Sequence, residues 1–227
     1  ETALADDEIV TRPNVTDDAE EAGGHDVIIT TLKVPAVRGA LSSIKPMIGP
    51  DTVVVPAHNG VPWWYFHGLE GPWRDRRLES VDPGGRQWAG IGPDRAIGCV
   101  VYPACDIREP GTVQHIEGNR FILGEPSGEK TERVELLAGL MRDAGFKTPV
   151  KSRIRDDIWV KLWGNLCFNP VSALTGATLE QIGTNPDTRA LCRAMMIEAQ
   201  AIGEKLGVRF AVDVDKRING ATGVGAH

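Results

Sequence analysis

Long apolar runs and positive charge are both scarce in this chain. No apolar stretch approaches the roughly 18–20 residues that a membrane-crossing helix requires. Lysine plus arginine total 25 against 31 aspartate plus glutamate, a formal charge of −6. That balance argues against nucleic acid or a membrane surface as partner, because both polyanions reward a positive face. Cysteine is also sparse. Cys99, Cys105, Cys167 and Cys192 are spread over 227 residues with no C-x-x-C and no paired His/Cys spacing, so they form neither a metal site nor a disulfide framework. They read as free thiols in a reducing, cytoplasmic compartment. No G-x-G-x-x-G follows a strand, and no P-loop, G-x-S-x-G or H-E-x-x-H is present. The run Gly220-Ala-Thr-Gly223-Val-Gly225 has its glycines in the wrong order for a phosphate loop.

The composition that remains, 41% hydrophobic and 25% charged, is that of a globular protein with one large domain or two small ones. The chain opens at Glu1 without an initiator methionine or signal peptide. It reads as the middle of a longer protein, with both ends absent.

Apolar patterning divides the sequence into two parts. Asp26–Leu32 and Thr52–Pro56 are short β-branched runs that fit buried parallel strands. Val37, Leu41, Ile44 and Ile48 lie between them at helical spacing, and Gly49-Pro50 is expected to stop that helix. Strand, helix and strand with short links make a right-handed βαβ unit. Gly68–Asp94 reads as an irregular insertion. Ile97–Tyr102 is a further strand. Thr112–Ile116 and Arg120–Leu123 are expected to pair as a hairpin through Glu117-Gly118-Asn119. Glu129–Ala144 reads as a helix with Val134, Leu137, Leu140 and Met141 inward, closed by Gly145. Phe146–Val150 reads as a last strand. From about Ser152 no strand pattern recurs. Ile154, Ile158, Leu162 and Leu166 mark one helix. Asn185-Pro186 starts a second, carried by Leu191, Met195, Ile202 and Leu206. A third begins near Asp213. The expected architecture is α/β, an incomplete Rossmann-like dinucleotide-binding domain over residues 1–151, followed by an all-helical domain over 152–227.

Three places carry candidate chemistry. Lys161, Asn165 and Asn169 are spaced i, i+4, i+8 on the first helix of the helical part, so they share a face and drift about 40° per step. Asp157 stands at i−4 from Lys161, so a plain helix ion pair is the simpler account of the lysine. The two asparagines count against it, because Asn is a modest helix former that needs partners when buried. Pro170 is expected to end or kink the helix at Asn169. The second place is His58-Asn59-Gly60, at the carboxyl end of a parallel strand, where open α/β sheets hold ligands. A tight turn is the alternative there. The third is Lys33, after the preceding strand, where a solvated loop lysine is the alternative. Trp63, Trp64, Trp73 and Trp88 read as packing or an interface rather than a stacking platform.

In their order and spacing, Thr31-Leu32-Lys33, Asn59-Gly60, Ile97-Gly98, Gly111–Ile116 and Trp159-x-Lys161-Leu-x-x-Asn165-x-x-x-Asn169-Pro170 resemble the ketopantoate reductase (2-dehydropantoate 2-reductase) family. The resemblance implies an N-terminal Rossmann-like domain binding NADPH and a C-terminal helical domain of the 6-phosphogluconate-dehydrogenase-like kind, with the active site in the cleft. It implies NADPH-dependent reduction of 2-dehydropantoate to pantoate on the route to pantothenate and coenzyme A, with a small keto acid as partner and a homodimer as one assembly. By residue, Lys161 matches the catalytic lysine. Asn165 and Asn169 match substrate-holding amides. Asn59 matches the Asn near nicotinamide and substrate, and Lys33 and Ala104 match positions close to the cofactor. The departures are the glycine fingerprint, which lies upstream of this chain in the family, and a substrate-side Asn that aligns with Leu179 or Thr178. Two alternatives remain open. One is a related reductase acting on another 2-keto or 3-keto acid, its pocket reshaped by Trp63-Trp64. The other is a non-catalytic dimerisation module.

Overall fold

The computed structural model describes residues 8–223. They fall into two compact units, one of residues 8–58 with Pro62–Ile154 and one of Asn59–Val61 with residues 155–223.

The first unit is built on parallel strands. After a one-turn helix α1 (Ala19–Ala22), β1 (His25–Thr30) pairs in parallel with β2 (Ile48–Pro56), and α2 (Val34–Ile44) crosses between them. The helix stops earlier than its apolar spacing predicts. A 3-10 turn at Lys45–Met47 carries Pro46, and Ile48 and Gly49-Pro50 belong to β2. The amino end of β2 is held by side chains. Gly49 N–H donates to Thr52 Oγ1 at 2.7 Å, and Arg95 Nη1 donates to the carbonyls of Gly49, Pro50 and Thr52 at 2.9, 2.8 and 3.2 Å.

Gly68–Asp94, expected as an irregular insertion, is mostly exposed turns with short helical pieces, and a packed aromatic layer precedes it. Trp63, Trp64, Tyr65 and Phe66 are all buried, and Trp63 meets Trp88 edge to face at 6.3 Å. Buried Asp82 accepts the Gln87 and Trp88 N–H groups at 2.9 and 3.0 Å, which caps the short helix α3 (Arg86–Gly90). Such a cap removes orphan donors that burial would otherwise make costly.

The strands that follow correct the expected hairpin. β3 (Gly98–Val101) is followed by β4 (Ala104–Glu109) and β5 (Thr112–Glu117), which pair with each other across Pro110-Gly111, where Gly111 has φ 86°. β6 (Phe121–Gly124) pairs with β3 instead. Burial explains the choice. β3 and β6 are almost wholly buried and β4 and β5 almost wholly exposed, so each strand pairs with one of its own environment. Parallel bridges Val54–Ala96 and Leu123–Val150 extend the arrangement on both sides. Gly98 and Gly124 face each other in the β3–β6 ladder, and a side chain at either would run into Ile154.

Helix α4 (Glu132–Asp143) covers this layer. Thr131 caps it, and Val134, Leu137 and Ala138 pack against Val53, Val55, Ile97, Cys99 and Leu123. Leu140, expected inward, is 57% exposed; the buried face runs through Ala138 instead. Each fully buried aliphatic side chain here contributes about 1.5–3 kcal/mol.

The second unit is helical: α5 (Ile154–Thr175), α6 (Leu179–Thr184), α7 (Pro186–Lys205) and α8 (Val214–Thr222). Helix α5 does not end at Asn169. It runs through Pro170 to Thr175. Proline removes one N–H donor, and the turn that follows is anchored by buried Val171. Trp163 stacks on Phe210 at 4.3 Å and donates its indole N–H to the Met196 carbonyl at 3.0 Å. Along α7 the buried face is Cys192, Met196, Ala199 and Gly203. It is displaced by one residue from the Leu191–Ile202 stripe that the apolar spacing predicts. Gly203 occupies it because Phe210 and Trp159 pack where a Cβ would stand.

Candidate active site

The candidate residues beside the sheet occupy equivalent positions. β1 and β2 are parallel, and the stretch entering β3 is parallel to β2 at Ala96. Lys33, Asn59 and Ala104 each follow the carboxyl end of one of these three strands, and all three are exposed. Lys33 is also the N-cap residue of α2, beside the free N–H groups and positive end of that helix. Gly60 has φ 95°, a left-handed conformation that favours glycine and fixes the turn after Asn59. The Asn59–Val61 turn clusters with the helical unit, although Pro62 onward returns to the sheet unit. Trp63 and Trp64, 2% and 1% exposed, are core residues.

In the helical unit, α5 carries apolar residues around most of its circumference, the pattern of a buried helix. Ile158, Trp159, Trp163, Cys167 and Phe168 are buried. Lys161 and Asn165 are half-buried and Asn169 is exposed, so the three polar groups descend one face from partly covered to open. The Lys161 ammonium is held below the ordinary lysine range, first by burial and second by the charge of Arg217. A lysine shifted this way gives up its proton more readily near neutral pH, which suits a general acid.

Arg217 of α8 is a residue that the sequence pattern did not single out. Its guanidinium lies against Gly164, where an added Cβ would stand 2.6 Å from Nη2. The only available signal was the glycine in mid-helix, a position that costs about 1 kcal/mol against alanine. Thr178, one of the two places where a family asparagine would align, is occupied structurally. Its hydroxyl accepts the Gln181 N–H and forms a capping box at the start of α6.

The remaining titratable groups serve the fold. Cys99, Cys167 and Cys192 are buried and Cys105 is exposed, all as free thiols. Burial pushes Cys99 and Cys167 up to about 12, so both stay protonated and inert. Among the described residues, no group of three or more His, Cys, Asp or Glu is placed to hold a metal ion. Likewise, no helix is long and apolar enough to cross a membrane.

Comparison with known proteins places this geometry in context. Residues 2–128 match the family described as ketopantoate reductase PanE/ApbA, and residues 153–224 match its C-terminal domain. A 2-dehydropantoate 2-reductase from Mesorhizobium japonicum is 58% identical over 209 residues, covering 92% of this chain and 64% of that protein. A crystal structure from Ralstonia solanacearum, provisionally assigned as a ketopantoate reductase, superposes with a TM-score of 0.89 at 43% identity, over 93% of this chain and 65% of that one. The 2-dehydropantoate 2-reductase of Geobacter metallireducens superposes with a TM-score of 0.77 at 27% identity, over 92% of this chain and 64% of that one. The chain thus spans just under two thirds of the length of these relatives. It belongs to the ketopantoate reductase family, with that family's Rossmann-like and helical domains.

Proposed function

We propose that the protein containing this chain reduces 2-dehydropantoate to (R)-pantoate with NADPH, with Lys161 as general acid. Residues 1–151 serve as the remainder of the NADP-binding domain and 152–227 as the substrate domain. The observation that carries the reading is a half-buried lysine of lowered basicity on α5, in register with Asn165 and Asn169. It lies in the one compact unit that also takes in the Asn59 turn.

The residues present fit the cofactor. Three exposed positions at the carboxyl ends of parallel strands, one of them capping a helix, are where α/β sheets receive a nucleotide. Lys33, Asn59 and Ala104 would hold it there. When bound, NADPH supplies the hydride that adds to the C2 carbonyl carbon. The Lys161 ammonium donates a hydrogen bond to the carbonyl oxygen and stabilises the charge that builds on it. Its proton then passes to that oxygen, completing the hydroxyl, and solvent reprotonates the amine. Asn165 and Asn169 orient the substrate through its hydroxyl and carboxylate, so that the carbonyl carbon meets the hydride in one geometry.

The test is NADPH oxidation by the intact protein with 2-dehydropantoate against a panel of other 2-keto and 3-keto acids. Preferred turnover of 2-dehydropantoate is expected. Turnover of a different keto acid with 2-dehydropantoate ignored would reassign the substrate. Absence of nicotinamide binding by fluorescence titration would make the protein a non-catalytic module.

The reading extends to a cytoplasmic homodimer. Leu191 and Ile202 of α7, eleven residues apart and so on one face of the helix, are each 51% exposed, an apolar surface suited to self-association. Sedimentation of the intact protein tests the assembly.

A further inference from the structure

We propose that Arg217 fixes the carboxylate of the keto-acid substrate, its guanidinium seated on Gly164 one helical turn beyond Lys161. This rests on the reductase reading above and adds to it a substrate-binding residue from a second helix.

Three observations support the assignment. First, Arg217 has no counter-charge among the described residues. Among them its guanidinium makes no hydrogen bond or ion pair, although it is half-buried. The carboxylates on its own helix are committed elsewhere. Asp213 accepts the Asp215 and Lys216 N–H groups at the start of α8. Asp215 is gripped by Arg189 at 3.4 Å and Arg193 at 3.3 Å. A guanidinium drawn out of water without an anion is unfavourable unless a ligand supplies the charge.

Second, the place is built to receive it. Gly164 is buried, and any side chain there would displace Nη2. The α5 helix therefore carries a poor helix former where α8 brings a cation against it.

Third, Arg217 lies near enough to Lys161 for its charge to lower the basicity of the lysine. Two cations within reach of each other make a place where an anionic ligand group is favoured. In a 2-keto acid the carboxylate is bonded directly to the carbonyl carbon. A group that holds the carboxylate must therefore lie close to the group that protonates the carbonyl oxygen. Arginine suits this because its planar fork matches both carboxylate oxygens.

The experiment compares R217Q, R217K and G164A in the intact protein on 2-dehydropantoate and on the neutral ketone that has a methyl group in place of the carboxylate. R217Q is expected to raise KM for the keto acid by about ten- to hundredfold while kcat falls severalfold at most. R217K should recover part of the loss, keeping the charge without the fork. G164A, which pushes the guanidinium off its seat, should follow R217Q. The KM penalty on the neutral ketone should be at least tenfold smaller. Equal penalties on both substrates, or an unchanged KM in both R217Q and G164A, would overturn the assignment. Calorimetry with oxamate, an unreactive 2-keto-acid analogue, separates the two readings. If wild type binds oxamate and R217Q does not, the carboxylate site stands even where no keto acid is turned over and the reductase reading has failed. If wild type turns over 2-dehydropantoate and R217Q binds oxamate equally well, only the assignment of Arg217 is lost. Should R217Q not fold, G164A and R217K carry the same comparison.

Discussion

Arg133 and Arg217 are both half-buried arginines, and the fold treats them in opposite ways. Arg133, in α4 of the sheet unit, is fully matched. Its Nε and Nη2 grip the two oxygens of Glu125 at 2.7 Å each, and Nη1 donates to the Asp94 carbonyl at 2.8 Å. Glu125 is itself only 2% exposed and also takes the Thr131 hydroxyl. This pairing holds the guanidinium above even the ordinary arginine range, chiefly through the Glu125 hydrogen bonds. Arg217, in the helical unit, has a seat and, among the described residues, no counter-charge. The difference separates charge that holds the fold from charge kept in reserve for a ligand. A structural ion pair closes on itself, whereas a binding cation is left open at a cost that the ligand offsets.

The largest effect that would sharpen this contrast is at Lys161. Lys161→Ala should cut kcat for 2-dehydropantoate by about 10²- to 10⁴-fold, the range for losing a general acid. Turnover near wild type would remove Lys161 from the chemistry. Arg133→Met should do the reverse, destabilising the sheet unit while touching none of the groups placed in the site. Stranding the Glu125 carboxylate costs about 3–5 kcal/mol, read as a fall in the denaturation midpoint. Adding Glu125→Leu should recover most of that loss, because an apolar pair of similar size removes the stranded charge. A single variant as stable as wild type would mean that the Glu125–Arg133 pair is not structural, and the contrast would fail.

A smaller effect is expected at Asn169. It is the most exposed of the three polar groups on α5, so its role is to hold rather than to react. Asn169→Ala should raise KM by about tenfold, the worth of one hydrogen bond to a charged group, and lower kcat less. A kcat loss that exceeds the KM change would place Asn169 in the transition state.

The contrast between these residues also explains what could be read from the sequence. Lys161, Asn165 and Asn169 share one helix, and a 3.6-residue period places them without any tertiary knowledge. The Thr52–Pro56 end of β2 is a short β-branched run buried on both faces, as its pattern predicts, whereas β1 buries Ile28 and Thr30 and leaves Ile29 49% exposed. Arg217 could not be found this way. No spacing relates it to Gly164, and only the packing of α8 against α5 brings them together. The hairpin is concealed in the sequence for a related reason. Glu117-Gly118-Asn119 and Pro110-Gly111 are both good turn sequences, and burial of the flanking strands chose between them. The inward faces of α4 and α7 were read from their largest apolar residues, yet Ala138, Ala199 and Gly203 are buried while Leu140, Leu191 and Ile202 are exposed. Close helix packing favours small residues, which periodicity weighted by hydrophobicity passes over.

The finest test concerns how the two cations of the helical unit feel each other. Lys161 acts as an acid only while protonated, so reduction should fail as pH rises through its pKa, and that limb should lie below the ordinary lysine range because burial and Arg217 both lower it. R217Q removes the second cause and leaves the first, so the alkaline limb should move to higher pH without reaching the value of a free lysine. Asp157, one turn before Lys161 on α5, is unchanged in this variant. The shift should be larger in kcat/KM than in kcat. The first reports the free enzyme, where the Arg217 charge is open, and the second the substrate complex, where a bound carboxylate neutralises it. Equal shifts in the two profiles would mean that the substrate carboxylate sits elsewhere. No shift in either would mean that Arg217 does not act on Lys161 at all.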